Sequence, residues 1–128
     1  MSEVRRQRGT AARQSGRRAE VLAALWLMLK GYRVLGFRLR TPHGEIDLVA
    51  RRGRVVAAVE VKTRTTIEAA LEAVSLTPRQ RLRRALRALA GRRRGLENAH
   101  ARLDLMALAP GRLPRHIPDA WSQDADFD

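Results

Sequence analysis

The sequence contains no cysteine, which excludes a disulfide framework and any thiolate metal site. It has only two lysines, Lys30 and Lys62, although basic residues are abundant. No long hydrophobic run is present. The longest, Val21–Leu29, falls short of the roughly 20 residues a bilayer span needs. It follows a basic segment with no cleavage-like site behind it, so it does not read as a signal peptide, and the expected location is the cytoplasm. Acidic residues are few: 13 against 26 lysines and arginines, a net charge of +13.

That imbalance favours polyanions, with nucleic acid first and an anionic membrane surface second. A preference for arginine over lysine can come from genome composition, but the sign imbalance cannot. Against this background Lys62 stands out, because arginine is the default base of the chain. A length of 128 residues with 45% hydrophobic content suits one domain with a real core and a very polar surface.

Pattern divides the chain into a basic N-terminal segment expected to be loose (1–14), a single domain (15–121) and an acidic tail (122–128). Ser15 reads as the cap of a helix to about Lys30, with Val21, Leu22, Leu25, Trp26 and Leu29 at helical spacing and Gly31 as its stop. Strands are expected over Tyr32–Thr41, with a bulge at Gly36, then over Glu45–Ala50 and up to Arg64, the last two joined by a tight Arg-Arg-Gly-Arg turn. Helical propensity follows at Ile67–Val74. Thr77-Pro78 resembles a cap and first-turn pair opening a basic helix to about Ala90, with Leu82, Leu86 and Leu89 on one face. A further strand is expected over Ala101–Ala109, before a proline-broken tail. The order α-β-β-β-α-β predicts an α/β domain with helices packed on a mixed sheet.

The stretch Val59-Glu60-Val61-Lys62-Thr63-Arg64 carries two charges in an otherwise apolar strand. Residues two apart share a strand face, so Glu60 pairs with Lys62 and Glu45 with Asp47, the latter two opposite Ile46 and Leu48. A tight turn makes the strands a hairpin in which opposed positions sum to 107. Asp47 then faces Glu60, and Glu45 faces Lys62. Like charges placed opposite each other destabilise a sheet, and two such carboxylates favour a cation between them or a shared proton. A hard divalent ion such as Mg²⁺ suits oxygen ligands. The alternative is purely structural, with Glu45 bridged to Lys62 and Asp47 to a nearby arginine.

The motif Gly44-Glu45-Ile46-Asp47-Leu48-Val49-Ala50 followed by Glu60-Val61-Lys62 resembles the PD-(D/E)xK nuclease superfamily. More narrowly, the chain resembles the YraN-type family of endonuclease-like bacterial proteins. The resemblance extends to Gly16 and Glu20, Arg40, Arg102–Leu108 and His116–Trp121. It implies a restriction-endonuclease-like fold, similar to Holliday-junction resolvases, and a Mg²⁺- or Mn²⁺-dependent endonuclease acting on DNA, including branched DNA. Asp47 and Glu60 would hold the metal with the Val61 carbonyl, Lys62 would orient water or stabilise developing charge, and Glu20 would reach the site through water. The chain departs from the family at Arg38, where asparagine is usual, at Ala19 and at Arg79.

Candidate phosphate contacts are Arg40, Arg64, Arg79, Arg83, Arg84 and Arg87. A membrane-binding role for the second helix is disfavoured, because Arg92–Arg94 cluster at its end. Gln80 reads as a solvated side chain, His43 and His116 as ordinary histidines lacking a partner at metal spacing, and Trp121 as packing the tail onto the sheet. A non-catalytic nucleic-acid-binding module that retains the fold is the alternative function. A homodimer stays open as an arrangement for cutting two strands.

Overall fold

Turn residues set the order of elements. In the computed structural model, which describes residues 2–76, 79–92 and 99–121, helix α1 (Ser2–Leu29) leads into strands β1 (Arg33–Thr41), β2 (Gly44–Arg52) and β3 (Val55–Thr63). Helix α2 (Ile67–Glu72), a 3-10 turn (Ala73–Leu76) and helix α3 (Arg79–Arg92) form the crossover to β4 (His100–Leu108), and β5 (Arg115–Ile117) follows. The five strands form one open mixed sheet in chain order. The β3–β4 pair is parallel and the others are antiparallel. A parallel pair requires a long connection, which α2 and α3 supply.

Helix α1 begins at Ser2, so Ser15 lies inside it rather than capping it. The arginines, alanines and glutamines of this region are good helix formers. The helix ends in a Schellman motif: Tyr32 N–H donates to Leu27 C=O and Gly31 N–H to Met28 C=O, with Gly31 at φ +91°. Thr66 caps α2 by accepting from Ala69 N–H. The Thr77-Pro78 start of α3 and the acidic tail lie outside the described residues. The sequence pattern overlooks β5, a three-residue strand between Pro114 and Pro118 at a sheet edge, where prolines are tolerated.

The sheet is covered on both faces. Ala23, Ala24 and Leu27 of α1 pack on Leu48, Ala50, Ala57, Val59, Met106 and Leu108. Ala85, Leu86 and Leu89 of α3 pack on Val49, Val56, Ala58, Leu103 and Leu105, with Trp121 beneath them. The tail is pinned as expected: the Trp121 indole N–H donates to Val74 C=O at 3.2 Å. The buried face of α1 differs from the expected one. Val21, Leu22, Leu25 and Leu29 point outward, with Met28, while small alanines make the close contact to the sheet. An apolar run that covers most of a helix's circumference does not reveal which side is inside.

Candidate functional site

The β2–β3 register runs from Arg52 opposite Val55 to Leu48 opposite Val59, each pair summing to the expected 107. Gly53, at φ +60°, makes the two-residue turn. Asp47 and Glu60 stand next in that register, where the regular ladder ends. Asp47 Oδ2 accepts instead from Val61 N–H at 2.9 Å. In an extended strand the N–H and C=O of one residue point to the same edge, so the Val61 carbonyl faces the Asp47 side as well.

The ladder ends here because the sheet switches faces. Leu48 belongs to the α1-side core, yet Ile46, two residues away, belongs to the α3-side core. Opposite them, Phe37 pairs with Leu48 and Leu39 with Ile46. Arg38, between them, takes φ +49°, an uncommon backbone conformation for a non-glycine residue. This overturns the expectation that Ile46 and Leu48 share one face. The Gly36 bulge is present as a register shift between Val34 and Gly36.

Arg38 organises the neighbouring charges. Its Nε donates to both oxygens of Glu20, at 2.9 and 3.0 Å. The hydrogen bond and charge of Glu20 raise the Arg38 pKa, and Glu45 and Asp47 add to that pull. Glu20 is buried, 8% exposed, so its carboxylate depends on this guanidinium rather than on solvent. A Cβ on Gly16 would stand 3.2 Å from Arg38 Nη2, so glycine there lets the guanidinium lie against α1. Arg17, Glu20, Val21, Phe37 and Arg38 together line a cleft.

Glu60 is 9% exposed, and Lys62 Nζ lies 3.4 Å from its Oε1. The expected pairing of Glu45 with Lys62 is not formed: Glu45 stands opposite Arg40 across β1–β2, with 3.9 Å between their charged groups. Among the described residues no group of three or more Asp, Glu, His or Cys side chains gathers as a metal cage. Asp47, Glu60 and the Val61 carbonyl offer hard oxygen donors only. That set suits Mg²⁺ or Mn²⁺, which keep several waters, and does not suit zinc.

The basic candidates scatter. Arg40 is 92% exposed at its side chain. Arg64 is exposed, its Nη1 donating to Thr63 C=O. Arg84 and Arg87 are exposed and Arg83 half-buried on α3. Arg83 and Arg87 line a cavity with Arg102, Leu103, Asp119 and Trp121, beside the first half of β4 rather than beside Glu60. Gln80 is exposed, as expected. The side chains of Arg79 and Leu82 lie outside the described residues. His43 is an exposed turn residue.

Sequence reasoning missed a second cluster. Asp104, fully buried on β4, accepts from Arg102 Nε at 2.7 Å, Arg102 Nη2 at 2.8 Å, Asp119 N–H at 2.9 Å and His116 Nε2 at 2.8 Å. His116 is therefore no ordinary packing histidine; its Nδ1 meets Lys30 Nζ. Arg102 also donates to the Tyr32 hydroxyl. Burial pushes the Asp104 carboxyl up, but the bonds from His116, Arg102 and Asp119 outweigh it and leave the carboxyl below its ordinary range. Asp104 in turn raises the Arg102 pKa. No helix among the described residues is long and apolar enough to cross a membrane.

Known proteins are similar to this chain over nearly its whole length. A UPF0102 protein of Caulobacter vibrioides (strain NA1000 / CB15N) is 70% identical over 118 residues, covering 92% of this chain and 94% of its own. One from Paramagnetospirillum magneticum is 51% identical over 118 residues, covering 89% and 92%. One from Maricaulis maris is 46% identical over 121 residues, covering 94% and 92%. The family described as "Uncharacterised protein family UPF0102" matches residues 19–108, a span that holds Glu20, Arg38, Asp47, Glu60, Lys62 and Asp104, and the chain belongs to that family.

Proposed function

We propose that the protein is a Mg²⁺- or Mn²⁺-dependent endonuclease that hydrolyses DNA phosphodiester bonds, including those of branched or structured DNA, in the cytoplasm. The observation that carries this reading is the pair Asp47 and Glu60, held on adjacent strands where the ladder ends, with Lys62 Nζ 3.4 Å from Glu60. Asp47, Glu60 and the Val61 carbonyl would hold the metal. When bound, it supplies Lewis acidity toward a phosphoryl oxygen and lowers the pKa of water. Lys62 then holds its ammonium beside the reacting phosphate, where it orients the attacking water or stabilises added negative charge. Glu20 acts through Arg38, whose charge reaches Asp47 and Glu45, and so sets the electrostatics of the acidic end rather than contacting the substrate. The excess of arginine draws the polyanion to the surface. A homodimer would bring two such sites to two strands.

A second reading, a nucleic-acid-binding module without catalysis, draws on one specific observation. The Asp47 carboxylate satisfies Val61 N–H and Glu60 pairs with Lys62, so both acids also have structural uses. The deciding experiment incubates the protein with single-stranded, duplex, flap and four-way-junction DNA in Mg²⁺, Mn²⁺ or EDTA. Metal-dependent cleavage lost in Lys62→Ala supports the nuclease. Tight binding with no cleavage of any substrate supports the module. No binding at low salt removes both readings.

A further inference from the structure

The cluster around Asp104 holds more positive than negative charge. Its one carboxylate is enclosed and already takes four donors. Lys30 donates to His116 Nδ1, so the imidazole accepts there and donates a hydrogen bond from Nε2–H to the Asp104 carboxylate. One N–H of the Lys30 ammonium is used in that contact; the residue is exposed, and two remain. Beside it, Arg52 Nη1 donates to the Lys30 C=O at 3.1 Å, and the Arg52 guanidinium lies 4.7 Å over the Tyr32 ring. Tyr32 itself is buried, bonded to Arg102 and edge-on to the His116 ring at 5.7 Å. Burial first, and the Arg52 charge second, lower the Lys30 pKa, as expected where cations outnumber anions.

We propose that Lys30 and Arg52 form a phosphate-binding site, on the α1 face of the sheet and therefore on the opposite face from Glu60 and Lys62. Two features recommend this pair among the described bases. Each side chain is held by a contact to a fixed partner, His116 for Lys30 and Tyr32 for Arg52, so less conformational freedom is lost on binding. The pair also combines a compact ammonium with a planar guanidinium fork, complementary ligands for phosphate oxygens. Arg40, by contrast, stands almost wholly in solvent. The ligand is a phosphate group of a nucleic acid, either an internal phosphodiester or a terminal monoester. The site does not depend on cleavage at Asp47 and Glu60, and its test is run in EDTA.

Calorimetric titration of the full chain with inorganic phosphate is the first measurement. Wild type should bind, and Lys30→Gln/Arg52→Gln should bind weaker by on the order of tenfold or more, the worth of charged hydrogen bonds. Arg18→Gln/Arg112→Gln, the same change of charge at exposed positions elsewhere, should bind as wild type does. Lys30→Gln alone leaves the Arg52–Tyr32 contact in place and should lose affinity several-fold, which keeps the test readable if the double variant folds poorly. Hairpin duplexes with a 5′-phosphate or a 5′-hydroxyl identify the source. A loss confined to the phosphorylated duplex assigns a terminal monoester, and an equal loss on both assigns an internal phosphodiester. The proposal is overturned if wild type binds no phosphate, if the double variant matches wild type, or if the control pair loses as much.

Discussion

Asp47 accepts a backbone hydrogen bond and, in the proposed nuclease, would also hold the metal; two substitutions pull these tasks apart. Its Oδ2 accepts Val61 N–H at 2.9 Å where the β2–β3 ladder has ended. Asp47→Ala leaves that N–H without its acceptor, which costs about 1–3 kcal/mol. For a domain of this size, where 1 kcal/mol is about 4 °C, the melting temperature should fall by about 4–12 °C. Asp47→Asn keeps an acceptor through its amide oxygen. It exchanges a charged hydrogen bond for a neutral one, a loss of about 1 kcal/mol, and removes the repulsion with Glu60, which offsets that loss. Its melting temperature in EDTA should stay within about 3 °C of wild type. Adding Mg²⁺ at about ten times the dissociation constant should stabilise wild type by about 1.4 kcal/mol, or about 6 °C, and neither variant. Both variants should lose cleavage and keep DNA binding. Scanning calorimetry with and without Mg²⁺, beside a cleavage assay, decides the matter. An Asp47→Ala protein as stable as wild type refutes the structural task. A metal-insensitive wild type together with a fully active Asp47→Asn refutes the metal site.

Asp104→Asn should cost about 3–5 kcal/mol by chemical denaturation, because it breaks a buried charged network. The Asp104 carboxyl lies below its ordinary range in the fold, so its stabilisation is complete above about pH 4 and lost as pH falls through the folded value; melting temperatures from pH 6 to 2 should fall less steeply in Asp104→Asn than in wild type. Arg38→Ala should lower the melting temperature more than Arg40→Ala, since Arg38 holds a buried glutamate and Arg40 a loose, exposed partner; equal effects would deny Arg38 its role. DNA affinity should fall with salt by about 0.9 log units per phosphate contact per log unit of salt, and Arg83→Ala/Arg84→Ala/Arg87→Ala should flatten that slope; an unchanged slope moves the binding surface away from α3.

The sequence makes the sheet legible because strand alternation and turn chemistry are local. Gly53 and the 107 sum for β2–β3 follow from residues within one hairpin. The inward face of α1 is not legible, because leucines and alanines surround the helix and only the sheet selects among them. The face switch at Arg38 is equally hidden. Arginine has no preference for a left-handed backbone, so nothing at that position signals that Ile46 and Leu48 will part. Within that hairpin Asp47 meets Val61 N–H and Lys62 meets Glu60, contacts between residues close in sequence or directly across the turn. Glu20 reaches this end of the sheet through Arg38, on the neighbouring strand beside Asp47, a contact between distant positions that no local pattern signals.

The Asp104 cluster escaped because its members are scattered, with Lys30 and His116 86 positions apart. Yet one signal was present, the rarity of lysine. In a chain that uses arginine almost everywhere, both lysines stand against a specific group: Lys62 beside Glu60 and Lys30 on His116 Nδ1. An ammonium is a compact charge that can aim one N–H at a single acceptor, while a guanidinium is a longer planar fork. Lys62→Arg and Lys30→Arg leave the net charge at +13, so a purely electrostatic role for these lysines predicts no change in salt-dependent DNA binding, in cleavage or in phosphate affinity. The geometry predicts otherwise. Lys62→Arg should lose cleavage by at least about tenfold with DNA binding intact, and Lys30→Arg should lose its bond to His116 and weaken inorganic phosphate binding. Arg18→Lys, on the exposed surface of α1, is the control and should change neither. If both lysine variants behave like that control, the two lysines are interchangeable charges and neither site is built around them.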